Sequence, residues 1–156
     1  MRSKPLFFAA VFLFLACQNA LASFNIETDL NSIDFGYMNP TATKGDIPFQ
    51  GLTVRCTSDQ GNPWQLRLRL ETPLRHDNNP SQVIPNENFW WYGISTTGSG
   101  TLVIDEQDFL IERVAYNAPA GEGASGIDIR LQFKLTIPSS AQSGPYSTRI
   151  ILTLIE

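Results

Sequence analysis

Histidine is nearly missing from this chain. His76 is the single one in 156 residues, and there are only two cysteines and two methionines. A zinc centre needs three or four histidine, cysteine or carboxylate ligands acting together, and so few soft ligands argue against one. Basic residues are scarce too: eleven Lys and Arg stand against fifteen Asp and Glu, for a net charge of −4. That balance lacks the electropositive footprint with which proteins hold nucleic acid or an anionic membrane surface. Helical periodicity is absent beyond residue 22, where no window repeats apolar residues at i, i+3, i+4 and i+7 over three turns. No Gly-x-Ser-x-Gly elbow, phosphate loop or dinucleotide glycine pattern is present. The one long apolar run, 6–16, is too short to span a bilayer comfortably.

That run has a different use. Arg2 and Lys4 precede it and Ala20-Leu21-Ala22 follows it, which is the layout of a secretory signal peptide cut after Ala22. "FLAC" at 14–17 loosely resembles a lipobox, which would instead leave a lipidated Cys17. Phe14 stands where such a signal usually has Leu, and Ala20-x-Ala22 is the better cut site. The expected organisation is a signal segment over 1–22 and one domain over 23–156, exported to the periplasm, cell surface or medium. Removing the signal takes away Arg2 and Lys4, leaving nine basic residues against fifteen acidic. It also leaves Cys56 alone. In an oxidising compartment a lone cysteine is either a buried small hydrophobe or an intermolecular thiol. Its place at the end of an apolar strand favours burial.

What fills 23–156 is alternation. In "WQLRLRLE" (64–71), Trp64, Leu66, Leu68 and Leu70 fall on one face and Gln65, Arg67, Arg69 and Glu71 on the other. In "IDIRLQFKLTI" (127–137), Ile127, Ile129, Leu131, Phe133, Leu135 and Ile137 alternate with polar residues. Period-2 patterns this clean predict antiparallel strands with one wet face. Weaker strands are expected over 24–30, 33–38, 51–56, 88–95, 101–105 and 109–116, with a last one over 146–155. The stretches 72–88 and 117–126, rich in turn formers, are expected as surface loops. The predicted fold class is all-β, an antiparallel two-sheet sandwich of immunoglobulin type. In the last strand Tyr146, Thr148, Ile150, Leu152 and Leu154 share a face. Its second half is apolar on both sides, so it calls for a neighbour; left bare, such an edge invites a strand from another chain.

Candidate chemistry is thin. In "NFWWYGIS" (88–95), Phe89 and Trp91 point one way and Trp90 and Tyr92 the other. Trp90 and Tyr92 are candidate ligand contacts, since exposed rings stack sugars or anchor partners; the alternative is that all four rings are packed. His76, in "LRHDNNP", is expected as a solvated loop histidine, with no serine identified to join it and Asp77 in a triad. Asp105, Glu106 and Asp108 have oxygen-ligand spacing but no glycine where a calcium loop of the helix–loop–helix kind requires one; they are expected to form a charged turn. No catalytic residue, cofactor or metal is predicted.

The order of motifs carries a resemblance. "IDFGYMNP" is followed by "LTVRC", then "WQLRLRL", and the chain closes on "LTIPSSAQSGPYSTRIILTLIE". This series, spanning most of 33–156, resembles the secreted Spore Coat Protein U domain and the related pilin-like subunits of archaic chaperone–usher systems. The resemblance implies an incomplete immunoglobulin-like sandwich, completed by a strand donated from the next subunit. It implies that Ile150, Leu152 and Leu154 line the receiving groove, and that "SFNIETDL", through Phe24 and Ile26, is the candidate donor. Its partners would be other copies or related surface subunits and a periplasmic chaperone. The family usually ties an early strand to the one ending near Cys56 by a disulfide, for which this chain has no second cysteine after the signal. The segment before "IDFG" is also short enough to be the domain's own first strand. The expected function is therefore a non-enzymatic structural or adhesive surface subunit. The alternative is a self-complete secreted module binding carbohydrate or protein.

Overall fold

The two cleanest alternations become the two central strands. In the computed structural model, which describes residues 23–44, 51–59 and 61–156, the first is β4 (Trp64–Leu70) and the second β11 (Ile127–Thr136). The expected inward sets go inside almost entirely: Trp64, Leu66, Leu68 and Leu70 from β4, and Ile127, Ile129, Leu131, Phe133 and Leu135 from β11, are buried, while Ile137, past the end of β11, is only part-buried and Gln132, expected on the polar face, is buried too. Each such side chain contributes about 1.5–3 kcal/mol of burial free energy before entropy is counted. The expected signal segment, 1–22, lies outside the described residues.

Two antiparallel sheets grow around these strands. The first runs β1 (Phe24–Thr28), β3 (Gly51–Ser58), β11, β7 (Phe89–Thr96), β9 (Gln107–Asp108), with β2 (Thr43–Lys44) pairing the far end of β11. The second runs β13 (Ile150–Ile155), β4, β10 (Arg113–Ala118), β8 (Thr101–Leu102). A small third sheet joins β12 (Tyr146–Ser147), β5 (Leu74–His76) and β6 (Asn79–Ile84). Apart from one short 3-10 turn, Asn86–Asn88, the regular elements among the described residues are strands. No helix among them is long and apolar enough to cross a membrane.

The two flanks of the main sheets are treated differently. On one flank a single segment passes between them. Thr101–Leu102 pairs with β10, Val103 donates its N–H to Ala115 O at 2.9 Å, and Gln107–Asp108 then pairs with β7. A bulge in β7 lets this happen. Arg130 opposes Ser95 and Leu131 opposes Gly93, so Ile94 is skipped, and the Gly93 N–H reaches Val103 O at 2.9 Å. On the other flank β1 ends the first sheet and β13 ends the second. These two edges come alongside each other without a hydrogen-bond ladder between them.

Several weaker expectations are corrected. Residues 33–38 form no strand: Asp34 Oδ1 accepts the Gly36 N–H at 2.7 Å, and Gly36 sits at φ +59°, a local turn that outcompetes the ladder. Ile33, Phe35 and Met38 still pack against the core, and Lys44 Nζ donates to the carbonyls of Phe35 (2.8 Å) and Tyr37 (2.6 Å). The stretch 72–88 is not a plain loop, because β5, β6 and the 3-10 turn lie in it. The strand expected from residue 109 begins at Arg113 instead. The last strand is two strands. Its first part pairs with β5 and its second with β4, with a break at Thr148–Arg149 where the chain changes sheets. Residues 117–126 are largely the loop expected, with glycines at positive φ at 121, 123 and 126.

Gly93 tests the sealed flank. A Cβ there would stand 2.5 Å from Leu102 Cγ and 2.7 Å from the Val103 carbonyl oxygen. The leucine can turn aside, but the backbone oxygen cannot without losing its bond. Gly93→Val is expected to lower stability by about 1–3 kcal/mol, read as a fall in the urea midpoint. An unchanged midpoint would mean that the crossing segment does not hold the two sheets together.

Candidate functional site

The flank where, among the described residues, no ladder joins the two sheets is the candidate site. β13 lies antiparallel to β4, with Ile150 opposite Leu70, Leu152 opposite Leu68 and Leu154 opposite Leu66. Side chains directly opposite in such a pair lie on the same face, so Ile150, Leu152 and Leu154 turn inward with the buried row of β4. Their burial nevertheless differs. Leu66 and Leu68 are fully covered, whereas every residue of β13 is only part-buried. The cause is position: β4 has β13 on one side and β10 on the other, while among the described residues β13 pairs only with β4. The outer face of β13 carries Ile151, Thr153 and Ile155, set against Arg69, Arg67 and Gln65.

The facing wall is β1. Phe24 opposes Ser58, Ile26 opposes Cys56 and Thr28 opposes Val54, all three partners being buried. Phe24 and Ile26 therefore also point inward, toward the same mouth as Ile150, Leu152 and Leu154. Phe24 is 37% exposed, and Ile26 packs against the core. The strand is tied at both ends. Ser23 N donates to Asp59 Oδ1 (2.8 Å), and Asp29 exchanges bonds with Thr53 through its N–H (3.1 Å) and its carboxylate (2.8 Å). The segment expected to act as a donor is, in this fold, the domain's own first strand.

Cys56 lies beneath this wall, fully buried and reduced. Burial, aided by the negative charge of Asp128, pushes its thiol up to about 12. It is thus a protonated apolar group at neutral pH, not a nucleophile. The other cysteine, Cys17, lies outside the described residues.

A polar cluster that the sequence reading missed closes the end of the sandwich near Trp64. Tyr116 Oη donates to Glu122 Oε2 at 2.7 Å and accepts the Gly100 N–H at 2.7 Å. Glu122 Oε1 also accepts from Ser99 through its N–H and its hydroxyl, and Trp64 Nε1 donates to Glu122 O at 2.8 Å. Burial pushes the Glu122 carboxyl up, but the hydrogen bonds from Tyr116, Ser99 and Gly100 outweigh it and hold it below its ordinary value. Burial, with the bond to Glu122, pushes the Tyr116 hydroxyl up to about 12. The cluster pins the 97–100 turn and the 119–126 loop. The only hint in the sequence is an isolated acidic residue inside the glycine-rich "AGEGASG".

The aromatic row alternates as expected. Phe89 and Trp91 are buried, with Phe89 edge-on to Phe35 and tilted against Phe109 and Phe133, while Trp90 and Tyr92 turn outward and are part-buried. Lys134 Nζ sits 5.1 Å from the Trp90 ring centroid and pairs with Glu106. One face of that indole is thus already occupied by a cation. Asp105, Glu106 and Asp108 do not converge on a shared centre: Glu106 takes Lys134, and Asp108 takes Arg113 at 3.1 Å. Among the described residues no group of three or more His, Cys, Asp and Glu is placed to hold a metal ion. His76 is not the solvated loop residue expected; it is 4% exposed, turned in from β5, with both ring nitrogens engaged. No family model, no curated protein and no solved structure matches this chain.

Two measurements follow from these placements. Trp90→Ala is expected to change the urea midpoint little, by less than about 1.5 kcal/mol, because the ring is outside the core. A loss of about 3–5 kcal/mol, the range for emptying a core aromatic, would place it inside. Glu122 has a depressed folded value, so its contribution is complete above the ordinary carboxyl value of 4.5 and is lost as pH falls through the lower folded one. Below about pH 5, the wild type is expected to lose stability more steeply than Glu122→Gln; parallel slopes would remove Glu122 from the acid response.

Proposed function

We propose that the protein is an exported, non-enzymatic structural or adhesive surface subunit that associates by β-strand addition along the outer edge of β13. The observation that carries this reading is the mismatch on that strand. Three apolar side chains face the core, yet they stay part-buried because no strand lies beyond β13 among the described residues. An added extended segment would supply the missing backbone ladder, and its alternate side chains would fill the mouth between Ile150, Leu152 and Leu154 on one wall and Phe24 and Ile26 on the other. Each ladder bond contributes about 0.5–1.5 kcal/mol net, and each apolar contact adds to it.

The strand order supports an immunoglobulin-like reading of the fold. The order A-B-E-D has its counterpart in β1-β3-β11-β7, and C and F have theirs in β4 and β13. The place of strand G is then the open edge of β13. The pairing of β10 and β8 on the far side of β4 departs from that plan. The non-enzymatic part of the reading rests on the states of the reactive groups. The Cys56 thiol and the Tyr116 hydroxyl are buried and held protonated, and the His76 nitrogens are bound by backbone. Export rests on the signal-like layout of residues 1–22. The donor is assigned to another molecule, a second copy or a related subunit, with a periplasmic chaperone as the holder of the open edge beforehand. Residues 24–28 are already engaged with β3 in cis. For a ligand-binding role of Trp90 and Tyr92, their outward orientation is favourable and the lysine over Trp90 is not.

The test is assembly. The protein recovered from an exporting host is expected to elute with partner subunits or as multimers, with the β13 amides protected from exchange. Leu152→Glu, which places a charge in the mouth, is expected to elute as a folded monomer. Wild type that is monomeric at every concentration, with freely exchanging outer amides on β13, would end the proposal.

A further inference from the structure

His76 is a buried ring with no part in the strand addition itself, and its bonds have a definite sense. The Asn78 N–H donates to His76 Nδ1 at 3.1 Å. A backbone N–H can only donate, so Nδ1 carries a lone pair, and the proton of the neutral ring is on Nε2. Nε2 lies 3.0 Å from the carbonyl of Ser143, and so donates to it. The ring therefore fits its site as the neutral Nε2–H tautomer. A second proton, on Nδ1, would point an N–H at the Asn78 N–H and break that contact.

What the ring holds is the lead-in to β13. Tyr146 of β12 stands opposite His76 in the register, with ring centroids 5.1 Å apart in an edge-to-face arrangement. The backbone of Gly144, at φ +143°, lies so close that a Cβ would fall 2.1 Å from Nε2. Asp77 N donates to Pro145 O (2.9 Å), and Ser147 Oγ donates to Asp77 Oδ1 (2.7 Å). Asn79 Nδ2 donates to Gln142 Oε1 at 3.1 Å, and Tyr146 Oη donates to Gln142 O at 3.1 Å. Titratable and charged groups next to the ring include Tyr146 from β12, and Asp77 and Arg75 from its own hairpin. Asp77 is committed to Ser147, and Arg75 stands one residue along on the opposite, exposed face. These contacts gather around His76, beside the short ladder that pairs Tyr146 with His76 and Ser147 with Arg75.

We infer that His76 is a proton-operated catch: the neutral ring fastens the 142–147 segment to the β5–β6 hairpin, and protonation releases it while the two main sheets stay folded. The sense follows from the tautomer. The closed catch holds a ring without the second proton and the open one can bind it, so the catch is closed at higher pH and opens as pH falls. This holds whatever the free edge of β13 receives.

Because the chain has one histidine, its ring nitrogens can be read without ambiguity in 15N-labelled full-length protein. At about pH 8 they should show the Nε2–H tautomer; a ring protonated on Nδ1 would overturn the inference. Between about pH 7.5 and pH 5.5, exchange of the Asp77, Asn78 and Ser147 amides, corrected for intrinsic chemistry, should speed up by as much as about tenfold per pH unit. Amides of β11 should not follow. Unchanged protection across that range, or loss in step with β11, would also overturn it. In His76→Asn the side-chain oxygen can take the place of Nδ1 but cannot be protonated, so the pH dependence should vanish; its survival would exclude His76 as the sensor. If that variant does not fold, the wild-type comparison decides alone.

Discussion

A β-strand has two edges, and the backbone groups on each must meet another strand, a side chain or water. On one flank of this protein a bulge at Gly93–Ile94 and the crossing of residues 101–108 meet that requirement from within, lacing the first sheet to the second. On the opposite flank β1 and β13 lie side by side with no ladder between them. The asymmetry governs the rest. It leaves the inward leucines and isoleucine of β13 short of full burial although they face the same core as Leu66 and Leu68. It also makes the open flank the place where a further strand would gain most.

Polar contacts guard both ends of that open strand. Near Ile155, which opposes Gln65, the Tyr116–Glu122 cluster fastens two loops and holds Trp64 through its indole N–H. Ahead of Ile150, the His76 ring fastens the Gly144 turn to the β5–β6 hairpin. The Glu122 contact depends on the carboxylate form, which its hydrogen bonds from Tyr116 and Ser99 favour, while the His76 contact is set by the backbone groups that meet its two ring nitrogens. The strand that carries the candidate edge is therefore bracketed by polar fastenings, while its inward row against β4 is apolar throughout.

Part of this was legible in advance. The rows of β4 and β11 were visible because a strand with one wet face must alternate. The same rule separated Phe89 and Trp91 from Trp90 and Tyr92. The shared face of Tyr146, Thr148, Ile150, Leu152 and Leu154 followed from spacing, while singling out the last three as a groove wall rested on the family resemblance. Other features were not legible. Residues 33–38 look like a strand by composition, but the Asp34 turn onto Gly36 is a local bond that wins there. The final strand reads as one run because alternation continues through Thr148 and Arg149, although the chain changes sheets at that point. His76 reads as a surface residue because its neighbours in sequence are polar, while what covers it comes from residues 143–146.

The sequence by itself determined which side chains turn inward on each long strand, because a period of two is a property of the extended chain. Only the tertiary structure decided which strands have two neighbours and which have one, because edges are set by pairing between residues far apart. The roles of Phe24 and Ile26 turned on that pairing, since the register with β3 makes them a wall of the mouth instead of a free strand. The burial of His76 and the anchoring of Glu122 turned on it as well, since their partners come from other segments of the chain.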